Sequence, residues 1–500
     1  MQAEADNAAR SYPAYRTLWI WLLLGWIVSY ADRTITGPVV TYMIENDIAL
    51  LRGVENQFAL GGLVGSMFFA GYMLTQFPGG YLGDRFGHRT IIVISIFWAA
   101  IATLVSGVMT ALLGFVALRV ITGLGEGTFY SNDRTVITQQ SPYEKRSLGL
   151  GVVITGLSIG LTLALLLTPP LIRLGEPIFG ADGAWRMPFF VLGAATVVVA
   201  LGIQRFFKGQ GGDFEFRPTY GSALKGLAGY SVVLFAAVMV VYVVSIQAGL
   251  PEWGTAILVT VLALFLIAFV FGSKGGEVSP ILHNRNLILI YLAAIAYLWH
   301  LWFLGFWSVS IISDTGGTTF VTAGLTAAFN AGAGILGFPA GGWLADYAKR
   351  RGWGRKGMLA SFTLILAVMT AGFGFYVAAG GQSLFVLSIL LFVSSLFFFA
   401  LQPISHALTA DLVPTAALMG AAFGMWNLVA EIGAVLSPAV SGVLRGATGD
   451  WVAAVMVDAG IVFASFVLIL FVRESGPQET SSAPEDSPNA ASAQRQENTV

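Results

Sequence analysis

Four ionisable residues interrupt stretches that are otherwise apolar. Asp32 and Arg33 lie in LWIWLLLGWIVSYADRTITGPVV, and Arg119 and Glu126 lie in GFVALRVITGLGEGTFY. A charge near the centre of a bilayer costs about 2.5–3.5 kcal/mol on insertion scales, and such residues usually face a bundle interior or an aqueous cavity. Two acids and two arginines in such places point to a polar cavity that handles anions and protons. A guanidinium offers an always-charged fork to a carboxylate. A carboxylate beside it feels two opposed influences: burial disfavours its charge and the guanidinium favours it. If an incoming anion takes Arg33 or Arg119 away from an acid, that acid protonates more readily, and Asp32 and Glu126 can load and release protons as the cavity changes sides. Arg119 and Glu126 are seven residues apart, so both project from one helix face about 10 Å apart along the axis. Gly123 and Gly127 lie near that face and leave room for a ligand or a close helix. Asp32 and Arg33 point about 100° apart, so one lines the cavity while the other faces a neighbouring helix. The competing reading is a static buried ion pair that holds the two helices together.

The elements that position these residues are membrane helices. The chain has 500 residues, 56% hydrophobic and 11% charged, against about 25% charged in soluble domains. Apolar runs long enough to span a bilayer recur along most of the length. Fourteen are expected, over 16–43, 56–82, 90–109, 112–139, 147–173, 187–207, 227–249, 254–273, 287–313, 319–346, 357–379, 382–410, 417–445 and 451–473. The pattern divides the chain into a cytoplasmic N-terminal segment (1–15), a six-helix half (16–207), linkers with a two-helix hairpin (208–286), a second six-helix half (287–474) and a disordered cytoplasmic tail (475–500). The polar first fifteen residues do not read as a cleaved signal peptide. Of the 26 Lys and Arg, Arg33 and Arg119 read as intramembrane and four (Arg52, Arg173, Arg186 and Arg445) as outer; the remaining 20 fall on the side of the termini. By the positive-inside rule both termini are cytoplasmic. The absence of cysteine excludes disulfides, thiol catalysis and cysteine-ligated metals.

An internal repeat supports the division. GYLGDRFGHR (80–89) and GWLADYAKRR (342–351) each follow the second helix of a half, and repeats of this kind mark secondary transporters. Gly80 to Arg89 resembles the cytoplasmic signature of the major facilitator superfamily; the second copy is looser, with Ala348 where the first has Gly87. The resemblance covers roughly 15–475 apart from the hairpin and implies an all-α fold of two six-helix halves. Three stretches are similar to the anion:cation symporter branch, which carries sugar acids, other organic acids and phosphate: Tyr30-Ala31-Asp32-Arg33, Arg119 through Glu126-Gly127, and Ala184-Trp185-Arg186-Met187-Pro188-Phe189-Phe190. The resemblance implies proton coupling by Asp32 and Glu126 and anion recognition by Arg33 and Arg119. The hairpin departs from that branch, which has twelve helices.

Other polar residues are candidates for the cavity wall. Tyr30 accompanies the Asp-Arg pair. In the second half Trp299, His300, Asn330, Gln402, His406, Asn427 and Glu431 are candidate substrate contacts. Asp458 reads as a structural partner. Gly80, Asp84, Arg85 and Arg89, with Gly342, Asp346 and Arg350, are expected to form conformational latches that pair charges across the seam in one state. The expected function is proton-coupled uptake of a small organic anion, a carboxylate, by a monomer in a bacterial inner membrane. Its partners are the anion, protons and the lipid bilayer; no enzyme activity, cofactor, metal or nucleic acid is implied. The rival is a fourteen-helix drug or metabolite exporter, which the hairpin favours. The fifth helix, GLGVVITGLSIGLTLALLLTPPLI, lacks the G-P-x-x-G-G pattern of such antiporters.

Overall fold

The computed structural model describes residues 2–141, 146–209, 220–272, 275–415 and 418–473. The expected tail at 475–500 and part of the polar linker after 208 lie outside the described residues. Six helices come first: α1 (Gln2–Glu45), α2 (Gln57–Phe86), α3 (His88–Ser106), α4 (Leu112–Gln140), α5 (Arg146–Phe179) and α6 (Met187–Lys208), with a 3₁₀ turn at Ala181–Arg186 before α6. Then come α7 (Tyr220–Gln247), α8 (Glu252–Gly272) and a short α9 (Gly275–Leu282). The second bundle contains α10 (Arg285–Gly316), α11 (Phe320–Gly332), α12 (Gly334–Arg350), α13 (Arg355–Ala378), α14 (Leu384–Leu412), α15 (Met419–Thr448) and α16 (Val452–Leu470).

Twelve spans among the described residues are long and apolar enough to cross a membrane, α11 and α12 together forming one of them, Phe320–Arg350. α1 and α8 are not among them: α1 carries Asp32 and Arg33 in its middle, and α8 offers a shorter apolar run, Glu252–Phe265. Two expectations change. α1 continues back to Gln2, so the N-terminal segment is helical. The run expected at 319–346 is broken at Ala333 into α11 and α12. The perimeter is apolar: Val198, Phe269, Phe375 and Phe385 are exposed, as a lipid-facing surface requires.

Helix ends follow local chemistry. Asn56 caps α2 by accepting from Ala59 N at 2.9 Å, and Asn284 caps α10 by accepting from Asn286 N at 3.0 Å. Gly87 turns the chain between α2 and α3 with φ +91°, a conformation other residues rarely adopt. Its counterpart Ala348 cannot easily make that turn, so α12 runs on to Arg350 and the turn passes to Gly352 and Gly354, at φ +73° and +72°.

The two bundles meet along α1 with α10 and along α2 with α15. Toward the end of the molecule that holds Glu45 and Asn56, called distal here, Ser313 donates to Glu45 at 2.7 Å and Arg445 lies 4.6 Å from the Phe58 ring centre. Pro438 interrupts the α15 ladder there. Its carbonyl accepts from Trp307 of α10, and across the seam Ala439 N donates to Ser66 Oγ of α2 at 3.2 Å, the kind of side-chain repair that tolerates proline in a membrane helix. The hairpin of α7 and α8 packs along α2, and α8 also touches α15. The hairpin therefore borders both halves.

Candidate functional site

α1 runs toward the distal end and α4 away from it, so the two helices bring facing stripes together. On α1 the stripe is Trp26, Tyr30 and Arg33; on α4 it is Glu126, Tyr130 and Arg134, spaced to share one face. Arg33 Nε donates to Glu126 Oε2 at 2.9 Å, with both side chains under 5% exposed. Ser29 Oγ donates to the same oxygen at 2.6 Å and accepts from Arg33 Nη2 at 3.0 Å. The Arg33 guanidinium lies 4.0 Å from the Tyr72 ring centre and 4.4 Å from that of Tyr30. The second pair sits deeper in the same half. Arg119 Nη1 donates to Asp32 Oδ2 at 3.3 Å, and Thr103 Oγ1 donates to Asp32 Oδ1 at 2.7 Å. Arg119 also holds Ser106 Oγ at 2.7 Å and packs its charge 5.1 Å from the Phe189 ring centre. Each helix thus gives an acid to one pair and a base to the other.

Arg33 faces a small central cavity between the two halves, with about 20 Å³ of free space, little more than one water molecule needs. Tyr30, Tyr72, Tyr130 and Arg134 line it from the first half; Gln402, Asn427 and Glu431 line it from the second. Tyr30 stacks on Trp302 across the seam at 6.0 Å and 12°. Gln76 of α2 ties the far wall to the first half. It donates to Glu431 Oε1 at 3.4 Å and accepts from Asn427 Nδ2 at 2.8 Å. A second, smaller internal cavity is lined by Ser29, Asp32, Thr103 and Glu126, so both acids border one space within the first half.

The structure brings Tyr30, Arg33, Gln402, Asn427 and Glu431 of the expected set to the central cavity, with Glu126 bound to Arg33 behind it. It does not bring the others there. Arg119 is fully buried inside the first half, because its neighbours at that depth are Asp32 and Ser106 rather than the seam. Trp299 packs against α15, where Ser437 donates to its carbonyl at 2.9 Å. His300 turns toward α16 and meets Asp458 Oδ2 at 2.7 Å. Asn330 accepts from Ser395 and shares with His300 a separate small cavity against α5. His406 lies edge-on to Trp426 at 4.4 Å. The glycines Gly123 and Gly127 admit not a ligand but a close helix: each sits directly on the α2 backbone, at the carbonyls of Phe68 and Tyr72.

The latch residues pair within their own halves. Asp84, 77% exposed at its side chain, meets His88 at 3.3 Å, and His88 also contacts Asn132 at 2.8 Å. Arg85 lies over Phe86 and Arg89 over Phe207. Gly80 and Gly342 lie within α2 and α12. In the second copy Asp346 meets Arg355 at 3.2 Å, Arg355 also meets Asp411, and Lys349 meets Asp411 at 2.7 Å, while Arg350 is exposed. The expected pairing across the seam is not among the ion pairs of the described residues.

Sequence reasoning missed Tyr72, Gln76, Tyr130 and Arg134. Arg134 belongs to the expected helix 112–139 but was counted with the charges at the membrane surface. The repeat of Glu126, Tyr130 and Arg134 at four-residue steps was the available signal. Gln76 carries no such signal, because a lone amide near a helix end reads as surface.

The pattern of the Major Facilitator Superfamily matches residues 22–329 and 303–497. The D-galactonate transporter of Escherichia coli O6:H1 is 25% identical over 473 residues, which cover 92% of this chain and 96% of that protein. The hexuronate transporter of Bacillus subtilis is 23% identical over 470 residues, 91% of this chain and 94% of that protein. Among solved structures, a POT family transporter in complex with 5-aminolevulinic acid superposes with TM-score 0.70 at 14% identity, over 91% of this chain and 95% of that one. These relatives agree with the anion:cation symporter branch suggested by the Asp32-Arg33 and Arg119–Glu126 stretches. The chain belongs to the Major Facilitator Superfamily.

Proposed function

We propose that this protein couples the inward movement of protons to uptake of a small organic anion, a carboxylate, by alternating access. The observation that carries the reading is the Arg33–Glu126 pair, closed at 2.9 Å on the wall of the central cavity. A substrate carboxylate competes with Glu126 for the Arg33 fork. When the substrate wins, Glu126 stays buried with its guanidinium partner lost, and a proton neutralises it at lower cost than leaving it charged. The loaded cavity is then electrically satisfied and can change sides. On release of the anion and the proton, Arg33 returns to Glu126. Asp32 borders the same internal cavity as Glu126 and serves as the second proton-coupling acid. Arg119 holds Asp32 in place rather than meeting substrate. Gln402, Asn427 and Glu431 form the opposite wall, and the two signature loops act as latches in the state that seals their end of the molecule. The names of the sugar-acid relatives support the substrate class.

In this reading α1 and α8 also cross the membrane, for fourteen helices with both termini in the cytoplasm of a bacterial inner membrane, and the monomer is the working unit. The test is transport in proteoliposomes with an imposed inward proton gradient and a panel of labelled organic acids. Accumulation above equilibrium that depends on the gradient is the expected result. Accumulation that persists unchanged in both Asp32→Asn and Glu126→Gln would overturn the coupling scheme, and gradient-driven extrusion of the acids would reverse the assigned direction.

A further inference from the structure

Arg134 is the second guanidinium of the central cavity, and the scheme above makes no use of it. It lies on α4 eight residues after Glu126 and on the same face, about 12 Å along the axis by helix rise. Its guanidinium carbon sits 4.4 Å from the Tyr130 ring centre and 5.5 Å from that of Trp26. Its Nε is buried with no hydrogen-bond partner, and among the described residues it forms no salt bridge. The neighbouring acid Asp133 accepts from Trp26 Nε1 at Oδ2, 2.5 Å away, and keeps Oδ1 buried without a partner, so it lends Arg134 nearby charge but no ion-pair contact. Arg33 has Glu126 as a resident counter-ion; Arg134 has none of this kind. Between the two guanidiniums lies an aromatic ledge, with Trp26 stacked on Tyr30 at 5.2 Å and 18° and set edge-on to Tyr130 at 5.9 Å.

A cation in a poorly solvated cavity with no carboxylate in ion-pair contact is satisfied by an anion that enters with the ligand. We propose that Arg134 is a second anion-binding residue and that the transported species is an organic dianion. One carboxylate of this small diacid sits on Arg33 and the other on Arg134, with the chain between them along the aromatic ledge. Because Arg134 lies over Tyr130, one turn nearer Glu126, the two guanidiniums are separated by a distance on the order of 6–12 Å. At the upper end of that range each guanidinium takes its own carboxylate from a short diacid. The Gln402 amide on the opposite wall suits hydroxyl groups on that chain.

This inference rests on the anion-carrier reading, and the experiment separates the two. The full chain in proteoliposomes is given a labelled aldaric acid and, in parallel, the aldonic acid of the same carbon skeleton, which differs only in having a hydroxymethyl group for one carboxylate. The wild type is expected to transport the diacid with a kcat/KM at least about tenfold higher, the equivalent of one added charge-assisted contact. In Arg134→Gln that ratio collapses toward one, and Arg134→Lys, which keeps the charge but not the fork, gives an intermediate ratio. A wild-type ratio at or below one, or a ratio that survives in both variants, overturns the second anchor. Transport of the monoacid without diacid preference removes the dianion inference alone. Failure to move either acid, in a preparation that elutes as a single species, removes both it and the anion-carrier reading.

Discussion

The two halves of this protein bury their ionisable residues in different ways. The first half crosses two ion pairs between α1 and α4, and one of them, Arg33–Glu126, forms part of the cavity wall. Among the described residues, the second half keeps its one close buried pair, His300–Asp458 at 2.7 Å, away from that cavity. Its cavity acid, Glu431, has no guanidinium at hydrogen-bond distance among the described residues; the Gln76 amide holds it from across the seam. A guanidinium can trade one carboxylate for another, whereas an amide gives a carboxylate a hydrogen bond without neutralising it. In the proposed cycle the first half exchanges an internal acid for a substrate acid, and the second half supplies shape, hydrogen bonds and a contact across the seam.

The strongest test of that contrast is Arg33. Arg33→Ala leaves Glu126 buried with its partner removed, a change that costs about 3–5 kcal/mol at comparable sites, and uptake should fall at least about a hundredfold, equivalent to roughly 2.7 kcal/mol in the barrier. Arg33→Lys should recover only a minor part of the loss, because one ammonium cannot reproduce the fork. Glu126→Gln should separate binding from coupling: exchange of labelled for unlabelled substrate continues, while accumulation driven by a proton gradient disappears. Gradient-driven accumulation by Glu126→Gln at the wild-type level would break the contrast outright.

The deeper pair should behave differently. Arg119→Gln and Asp32→Asn each strand a buried charge, and each should lower thermal stability by about 3–5 kcal/mol. The double variant should regain much of that loss, since two neutral groups at 3.3 Å can share a hydrogen bond. Unfolding followed by tryptophan fluorescence would measure the cycle. Uptake should still fail in the double variant, because the second coupling acid is gone.

Glu431→Gln should have a smaller effect. The amide keeps the contact with Gln76 and removes the charge, so KM should change several-fold while the gradient still drives accumulation. Loss of coupling in this variant would move a proton site into the second half and end the simple division. Gln76→Ala should reproduce the KM change in part, since it removes the same seam contact from the other side.

Much of this could be read from the residues alone, for a physical reason. Charges in apolar runs are costly, so Asp32, Arg33, Arg119 and Glu126 stand out, and the signature at Gly80 to Arg89 marks the fold. The pairing could not be read in the same way. Helix geometry puts Arg119 and Glu126 on one face, but depth decides what each one meets, and two turns separate a residue facing Asp32 from one bound at the cavity wall. Hydropathy also places Arg134 at the surface because six residues separate it from the end of α4. Only the meeting of the halves encloses it. The hairpin is visible as two apolar runs around a turn, whereas its course along α2 and α15 depends on tertiary packing that no local pattern encodes.

The smallest transport effect is expected at His300 and Asp458, and it is the sharpest check on the comparison because both residues are as buried as the crossed pairs of the first half. If burial alone made a titratable residue part of the transport cycle, His300→Gln and Asp458→Asn would stop uptake as Arg33→Ala does. The geometry argues otherwise. The His300 ring packs at 5.1 Å from Phe398, its Nδ1 is committed to Asp458, and the space beside it is enclosed by leucines, Asn330 and phenylalanines rather than by the central cavity. A substrate acid on Arg33 cannot exchange with this pair. Each single variant should therefore lose about 1–3 kcal/mol of stability through a stranded polar group and keep uptake within about threefold of wild type once equal amounts of folded protein are compared. The double variant should recover stability. Uptake abolished in His300→Gln at unchanged thermal stability would show that the second half carries a step of the cycle on a buried pair, and the contrast between exchangeable and fixed charge would then fail as the principle dividing the two halves.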